Sequence, residues 1–195
     1  MTVVLTERLV LTPVTVADAE DLVLLHGDPN VAHWYDGAWT REQARSWADA
    51  MARRWADEGV GKWTARLRHD GTLVGRGGLT RVRLEQEDRL ELGWTLRDAA
   101  RGRGYATEIG RAGLDVAVGR LGAERVVAYT EVHNRASRAV MERLGMELTR
   151  VIFRPGLIEG RTGVHEGAPF ALHTYDTAPV PRTGARRGAS GPRAG

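Results

Sequence analysis

LELGWTLRDAARGRGYAT, residues Leu90–Thr107, is the stretch whose reading decides the fold. Leu90, Leu92, Trp94 and Leu96 alternate with Glu91, Gly93 and Thr95, the period-two pattern of a strand. Gly102 and Gly104 follow, interleaved with Arg101 and Arg103, and a helical run opens directly after them. A glycine turn at a helix N-terminus can aim several backbone N–H groups at one point, where the helix dipole also favours negative charge. Glycine lets the backbone approach an anion closely, and the arginines add charge-assisted hydrogen bonds. Two familiar phosphate loops are excluded. A dinucleotide fingerprint fails because Thr107 stands where the third glycine belongs and the preceding strand is part of an antiparallel run. A Walker loop fails because no Gly-Lys-Ser/Thr triplet occurs. An RNA-binding arginine–glycine segment fits poorly between a strand and a helix. Local spacing leaves two readings open, an anion site and a turn that merely needs glycine.

Upstream, Glu85–Asp88 reads as an acidic turn and Leu73–Leu84 as a strand weakened by Gly75, Gly77 and Gly78. His69-Asp70-Gly71-Thr72 reads as a hairpin turn and Trp63–Leu67 as the partner strand. Thr6–Val14 reads as a first strand, and Ala17–His26 as a short helix broken by Gly27, Asp28 and Pro29. His33, Trp34 and Tyr35 fall in a loop or loose helical turn. Thr40 is a suitable N-cap for a helix over Arg41–Glu58, with Ala44, Trp47, Ala48, Met51 and Trp55 on its apolar stripe.

Downstream, a helix from Gly104 to Leu121 places Tyr105, Ile109, Ala112 and Val116 on one face, broadened by Leu114, Val118 and Leu121. Arg125–Glu131 reads as a buried strand, Asn134 caps a helix ending near Leu144, and Met146–Phe153 and Ala168–Tyr175 read as closing strands. The order predicts an α+β domain with a mixed, mostly antiparallel central sheet of about seven strands flanked by about four helices. Residues 1–177 are expected to form the domain, and 178–195 a disordered tail rich in arginine, glycine and proline.

The formal net charge of +3 is misleading, because the tail holds Arg182, Arg186, Arg187 and Arg193 and no acid. Without the tail the chain is close to neutral, so a nucleic-acid partner is not expected. Lys62 is the single lysine. There is no cysteine, which excludes disulfides and thiolate metal sites. No apolar run approaches the ~20 residues of a membrane span, and no secretory leader is visible. A cytoplasmic setting is the expectation. The histidines show no metal-ligand spacing, so no metal is expected, and His165 and His173 read as surface residues.

The element order gives the glycine–arginine turn its meaning. Arg101-Gly102-Arg103-Gly104-Tyr105-Ala106 resembles the Arg/Gln-x-x-Gly-x-Gly/Ala signature of the GNAT N-acetyltransferase superfamily. Asn134-Arg-Ala-Ser137 with Leu144-Gly145-Met146 resembles that family's Asn-x-x-Ser/Ala…Leu-Gly-Phe block. Thr6-Glu7-Arg8-Leu9-x-Leu11 is similar to the branch holding ribosomal-protein N-terminal alanine and serine acetyltransferases.

The resemblance implies a GNAT-like fold and acetyl transfer from acetyl-CoA to a primary amine, either a protein N-terminus or a small molecule. It places the cofactor pyrophosphate at Arg101, Gly102, Arg103, Gly104 and Ala106, beside Tyr105. It lays the pantetheine arm along the backbone of Trp94, Thr95 and Leu96, and gives Asn134 a cofactor contact. Where many members have a tyrosine acid, this chain has Met141, which cannot donate a proton; Ser137 is the available hydroxyl, or else a second helix cap. Glu91 is the candidate base, beside the space that Gly93 leaves. Trp34 and Tyr35, with Trp39, are candidates to wall the acceptor pocket, or else aromatics that pin their loop to the core. A homodimer is compatible with the sequence. The rival readings are a non-catalytic acyl-CoA-binding or regulatory module of the same fold and an RNA-associated protein.

Overall fold

The computed structural model describes residues 3–177, so the tail expected over 178–195 lies outside the described residues. Eight strands form one sheet: β1 (Val4–Leu5), β2 (Leu9–Pro13), β3 (Lys62–Leu67), β4 (Leu73–Leu84), β5 (Glu87–Leu96), β6 (Arg125–Glu131), β7 (Glu147–Gly156) and β8 (His165–Asp176). Their spatial order is β1-β2-β3-β4-β5-β6-β8-β7. Every neighbouring pair is antiparallel except β5–β6. The helices are α1 (Ala19–His26), α2 (Pro29–Ala32), α3 (Arg41–Asp57), α4 (Tyr105–Gly119) and α5 (Arg135–Arg143).

The α+β class and the mostly antiparallel sheet are as expected, with one more strand and one more helix. Val4 and Leu5 fold back to pair with Leu11 and Val10. The break at Gly27–Pro29 is also a restart. Pro29 opens α2, where a missing N–H costs nothing, and the Asp28 side chain accepts from the Asn30 N–H at 3.1 Å. The predicted acidic turn contracts to Glu85 and Gln86, both left-handed at φ 49° and 69°. Such a turn matches the twist of a two-residue hairpin, so Glu87 already pairs with Leu84 and Asp88 with Arg83.

Helices α4 and α5 cover one sheet face and α1–α3 the other. Leu90 and Leu92 of β5 face α4 and α5, in a core with Leu79, Leu114, Ala128, Val140, Met141 and Leu144. Strand β4 runs unbroken through its glycines, and one of them lets α4 come close: a Cβ on Gly77 would lie 2.5 Å from Ile109 Cγ2. Fully buried leucines such as Leu9, Leu11 and Leu92 contribute about 1.5–3 kcal/mol each.

Two expectations are corrected. Val118 and Leu121 sit at 38% and 37% exposure, because Val118 lies off the buried stripe of α4 and Leu121 follows the end of the helix at Gly119. His173 is fully buried, because β8 is an interior strand between β6 and β7.

Candidate active site

Strands β5 and β6 pair only at Leu90–Val126 and Glu91–Val127. Beyond Glu91 they diverge, while β5 stays on β4 as far as Leu96 and β6 stays on β8 as far as Glu131. The two facing edges therefore open a wedge inside the sheet. It forms part of a cleft of about 1000 Å³ that reaches from Arg101, Gly102, Gly104, Tyr105 and Ala106 to Glu91 and Ser137. Trp34, Tyr35, Trp94, Thr95, Leu96 and Asn134 also line it.

Ladder phase sets which backbone groups face the wedge. The Arg97 N–H donates to the Val74 carbonyl at 3.0 Å, so by antiparallel alternation the amides of Thr95 and Gly93 also point at β4. Those of Trp94 and Leu96 are left pointing into the wedge, while the Leu92 amide is taken up by the Glu91–Val127 parallel pairing with β6. Thr95 enters the cleft through its hydroxyl, 2.8 Å from the Tyr35 hydroxyl. A backbone role toward a ligand therefore fits Trp94 and Leu96 and does not fit Thr95.

The glycine–arginine turn has the conformation an anion cradle needs. Gly102 and Gly104 are left-handed at φ 71° and 81°, a region open to glycine at no steric cost. A Cβ on Gly102 would meet no atom within 4 Å, so it is the left-handed backbone and not crowding that calls for glycine there. Helix α4 opens with no side-chain cap, leaving its first N–H groups for a ligand. Arg101 lines the cleft, 3.4 Å from Asp98. Arg103 does not line it; its carbonyl accepts from Arg8 Nη1 at 2.9 Å.

That bond belongs to a clamp built from the Thr6-Glu7-Arg8 segment. Glu108 on α4 accepts from the Thr6 hydroxyl (2.5 Å), the Arg8 N–H (2.8 Å) and Arg8 Nε (2.7 Å). The Arg8 guanidinium also covers the Tyr105 ring, 4.6 Å from its centroid. Partial burial pushes the Glu108 pKa up, but these hydrogen bonds outweigh it and hold the carboxyl below the usual range. Arg8 thus positions the turn without facing the cleft. For the acetyl-CoA that the sequence resemblance implies at this turn, Arg8→Ala is expected to raise KM roughly tenfold, about 1.4 kcal/mol, with kcat unchanged. Steady-state kinetics check this, and an unchanged KM would show that the clamp plays no part.

On the α1–α3 face a polar group underlies the wedge. Glu91 Oε2 accepts from Lys62 Nζ and from the Thr80 hydroxyl, both at 2.7 Å. Lys62 Nζ also donates to the Gly78 carbonyl at 2.9 Å. Burial holds the Lys62 amine below the usual lysine range; Glu91 counteracts this, while Arg76 and Arg54 reinforce it. Glu91 Oε1 makes no hydrogen bond among the described residues and lies over Gly93, where a Cβ would come within 2.7 Å of it. Gly93 therefore leaves room for that oxygen.

Asn134 is the α5 cap: its Oδ1 accepts from the Ser137 N–H at 3.1 Å. The Ser137 hydroxyl has no hydrogen-bond partner among the described residues, so the second-cap reading of Ser137 is set aside. Met141 is buried behind it at 2% exposure. Trp34 stacks on His133 across the mouth, with centroids 5.3 Å apart.

Among the cleft residues that the sequence reading did not single out for function are Lys62, Arg76, Tyr129 and Glu131. Burial, and next the charge of Glu91, push the Tyr129 phenol up, against the opposing Arg154. It therefore stays protonated at neutral pH. The signals were the lone lysine, an arginine between glycines within an apolar strand, and polar residues ending a buried strand. No group of three or more His, Asp or Glu suited to a metal occurs among the described residues. No helix among them is long and apolar enough to cross a membrane.

Residues 8–147 match the family model of the acetyltransferase (GNAT) domain. The chain belongs to the GNAT acetyltransferase family. The enzyme is 30% identical over 129 residues to YkkB, an uncharacterised protein of Bacillus subtilis (strain 168), covering 66% of this chain and 75% of that one. An acetyltransferase from Agrobacterium tumefaciens superposes with a TM-score of 0.69 at 26% identity, over 90% of this chain and 94% of the other. A ribosomal-protein alanine acetyltransferase from Vibrio fischeri shares the fold, with a TM-score of 0.73 at 13% identity over 90% and 97% of the two chains. The wedge, the turn and the clamp of this acetyltransferase thus sit in a fold whose members move acetyl groups.

Proposed function

We propose that this acetyltransferase carries the acetyl group of acetyl-CoA directly to a primary amine, with both substrates bound together. The supporting observation is the divergence of β5 and β6 after Glu91, which joins the turn at 101–106 to the free oxygen of Glu91 by one continuous cleft.

In this reading the pyrophosphate lies on the N–H groups opening α4, with Gly102, Gly104 and Ala106 leaving room and Arg101 adding charge. The pantetheine amides pair with the free backbone of Trp94 and Leu96, and the Asn134 side-chain amide donates to the cofactor. The amine enters from the Trp34 and Tyr35 side. Glu91 Oε1 takes its proton, the nitrogen attacks the thioester carbon, and the carbonyl oxygen is held by backbone N–H near Trp94. The N–C bond forms as the C–S bond breaks, and the Ser137 hydroxyl stabilises or protonates the leaving thiolate. Ser137 and Glu91 approach the wedge from opposite sheet faces, which matches a thiolate leaving on one side and an amine arriving on the other.

Acetyl-CoA at 100 times its Kd should add about 2.7 kcal/mol of stability, a rise in Tm of roughly 5–10 °C for a domain of this size. A thermal melt that acetyl-CoA does not move would remove this reading.

A further inference from the structure

We infer that the acceptor carries a carboxylate as well as its amine, and that Arg76 is the residue that binds it; this deepens the proposed acetyl transfer and rests on it.

Arg76 lies on β4, opposite Thr95, and is 6% exposed. A buried cation is normally met by a carboxylate. Here the partners are neutral. Arg76 Nε donates to His26 Nε2 at 3.3 Å and Nη2 to the Tyr35 hydroxyl at 2.9 Å. Burial, and next the charge of Arg76, depress the His26 pKa to about 3, so His26 carries no charge at neutral pH and can accept this bond. The remaining N–H groups of the fork have no partner among the described residues, and the residue lines the cleft.

The surroundings hold the guanidinium in one place. It sits 4.4 Å from the Trp47 ring centroid, 5.4 Å from that of Tyr35 and 5.9 Å from that of Trp39. Trp39 is itself stacked on His26 at 3.4 Å. Aromatic faces favour a cation without neutralising it. Charge bookkeeping gives the same result. Lys62 is answered by Glu91, whereas no carboxylate among the described residues forms an ion pair with Arg76, the unpaired Glu131 lying on the β6 side of the cleft. A planar fork with free N–H groups on a largely buried side chain matches a carboxylate.

The position suits a second group on the acceptor. Arg76 faces Thr95, and Gly78 faces Gly93. Two residues along β4 span roughly 7 Å, a distance side-chain reach can shorten. An amine held near Glu91 and Gly93 can therefore belong to the same small molecule as a carboxylate held at Arg76. Glu131, buried on the β6 side of the cleft with no cation paired to it among the described residues, adds negative charge for the ammonium end.

The test compares matched acceptors by acetyl-CoA-dependent thiol release. Glycine, β-alanine and γ-aminobutyrate are set against their amides, and an Ala-Asp N-terminal peptide against its Ala-Asn counterpart. At least one carboxylate should outperform its neutral partner by about tenfold or more in kcat/KM, the worth of one charged hydrogen-bonded contact. The first series answers for a free amino acid and the second for an acidic peptide. Arg76→Gln should abolish the preference and Arg76→Lys should retain part of it, while both keep the Tm rise with acetyl-CoA as evidence of folding. Amides that react as well as acids, or a preference that survives Arg76→Gln, would overturn the assignment. Should no amine release thiol, the transfer reading fails and Arg76 is tested alone. Quenching of tryptophan fluorescence by N-acetylglycine against N-acetylglycinamide, with coenzyme A present, must then favour the acid in the wild type and lose that bias in Arg76→Gln; equal binding of the two sinks the proposal.

Discussion

Glu91→Gln should lower kcat/KM for amine acetylation by about 10²–10⁴-fold, the usual worth of a positioned base, while leaving the acetyl-CoA-induced rise in Tm in place. The amide keeps the shape and can still accept from Lys62 and Thr80 through its oxygen, but it cannot take a proton. The deficit should be greatest at low pH, where more of the amine arrives protonated and needs a base. In the proposed reading acetyl-CoA is held at the other end of the wedge, at 101–106 and along β5, so the affinity and the rate should separate. Pre-steady-state or steady-state rates across pH, paired with melts, check this. A variant with wild-type rate and pH profile would mean that another group lining the cleft, such as Glu131, removes the proton.

Lys62→Met carries the largest expected stability effect. The Lys62 and Glu91 side chains are 9% and 15% exposed and 2.7 Å apart. Removing one partner of a buried pair leaves the other charge uncompensated, at a cost of about 3–5 kcal/mol, or roughly 6–20 °C in Tm. Replacing both, as Lys62→Met with Glu91→Leu, should recover most of the loss, because an apolar pair carries no desolvation penalty.

The pH dependence has a definite sign. With its folded pKa below the unfolded value of 10.5, Lys62 binds its proton more weakly in the folded chain. Its contribution to stability therefore rises as pH climbs from the folded pKa toward 10.5. Lys62→Met should remove that alkaline rise. Denaturant melts of the single and double variants between neutral and alkaline pH measure both effects. A single variant as stable as the wild type would show that the pair is not structural.

Much of this was legible in the chain. Alternation from Leu90 to Leu96 shows which side chains of β5 share a face, and the glycines at 102 and 104 mark a turn that only a left-handed backbone can make. Asn134 as a cap follows from its residue type and position. What the sequence did not reveal lies in contacts between distant segments. Nothing local says that β5 and β6 part after Glu91, that Arg8 reaches across to α4, or that Lys62 meets Glu91 from two strands away. Arg76 was hidden for the same reason: its box is assembled from α1, the 33–35 turn, Trp39 and α3, and only the folded chain shows that none of its partners is an acid. The turn residues also separate in role. Arg101 faces the cleft, whereas Arg103 contributes a carbonyl to the clamp. The Thr95 amide likewise points at β4, a matter of ladder phase that residue type cannot carry.

The measurement that tests the central claim most directly is a screen of primary amines for acetyl-CoA-dependent thiol release, with mass spectrometry of the products. The account predicts equal amounts of free thiol and N-acetylated amine, with no acetyl retained on the protein. Thiol released without any acetylated amine, or an acetyl group covalently trapped on the chain as an intermediate, would contradict direct transfer in the wedge between β5 and β6.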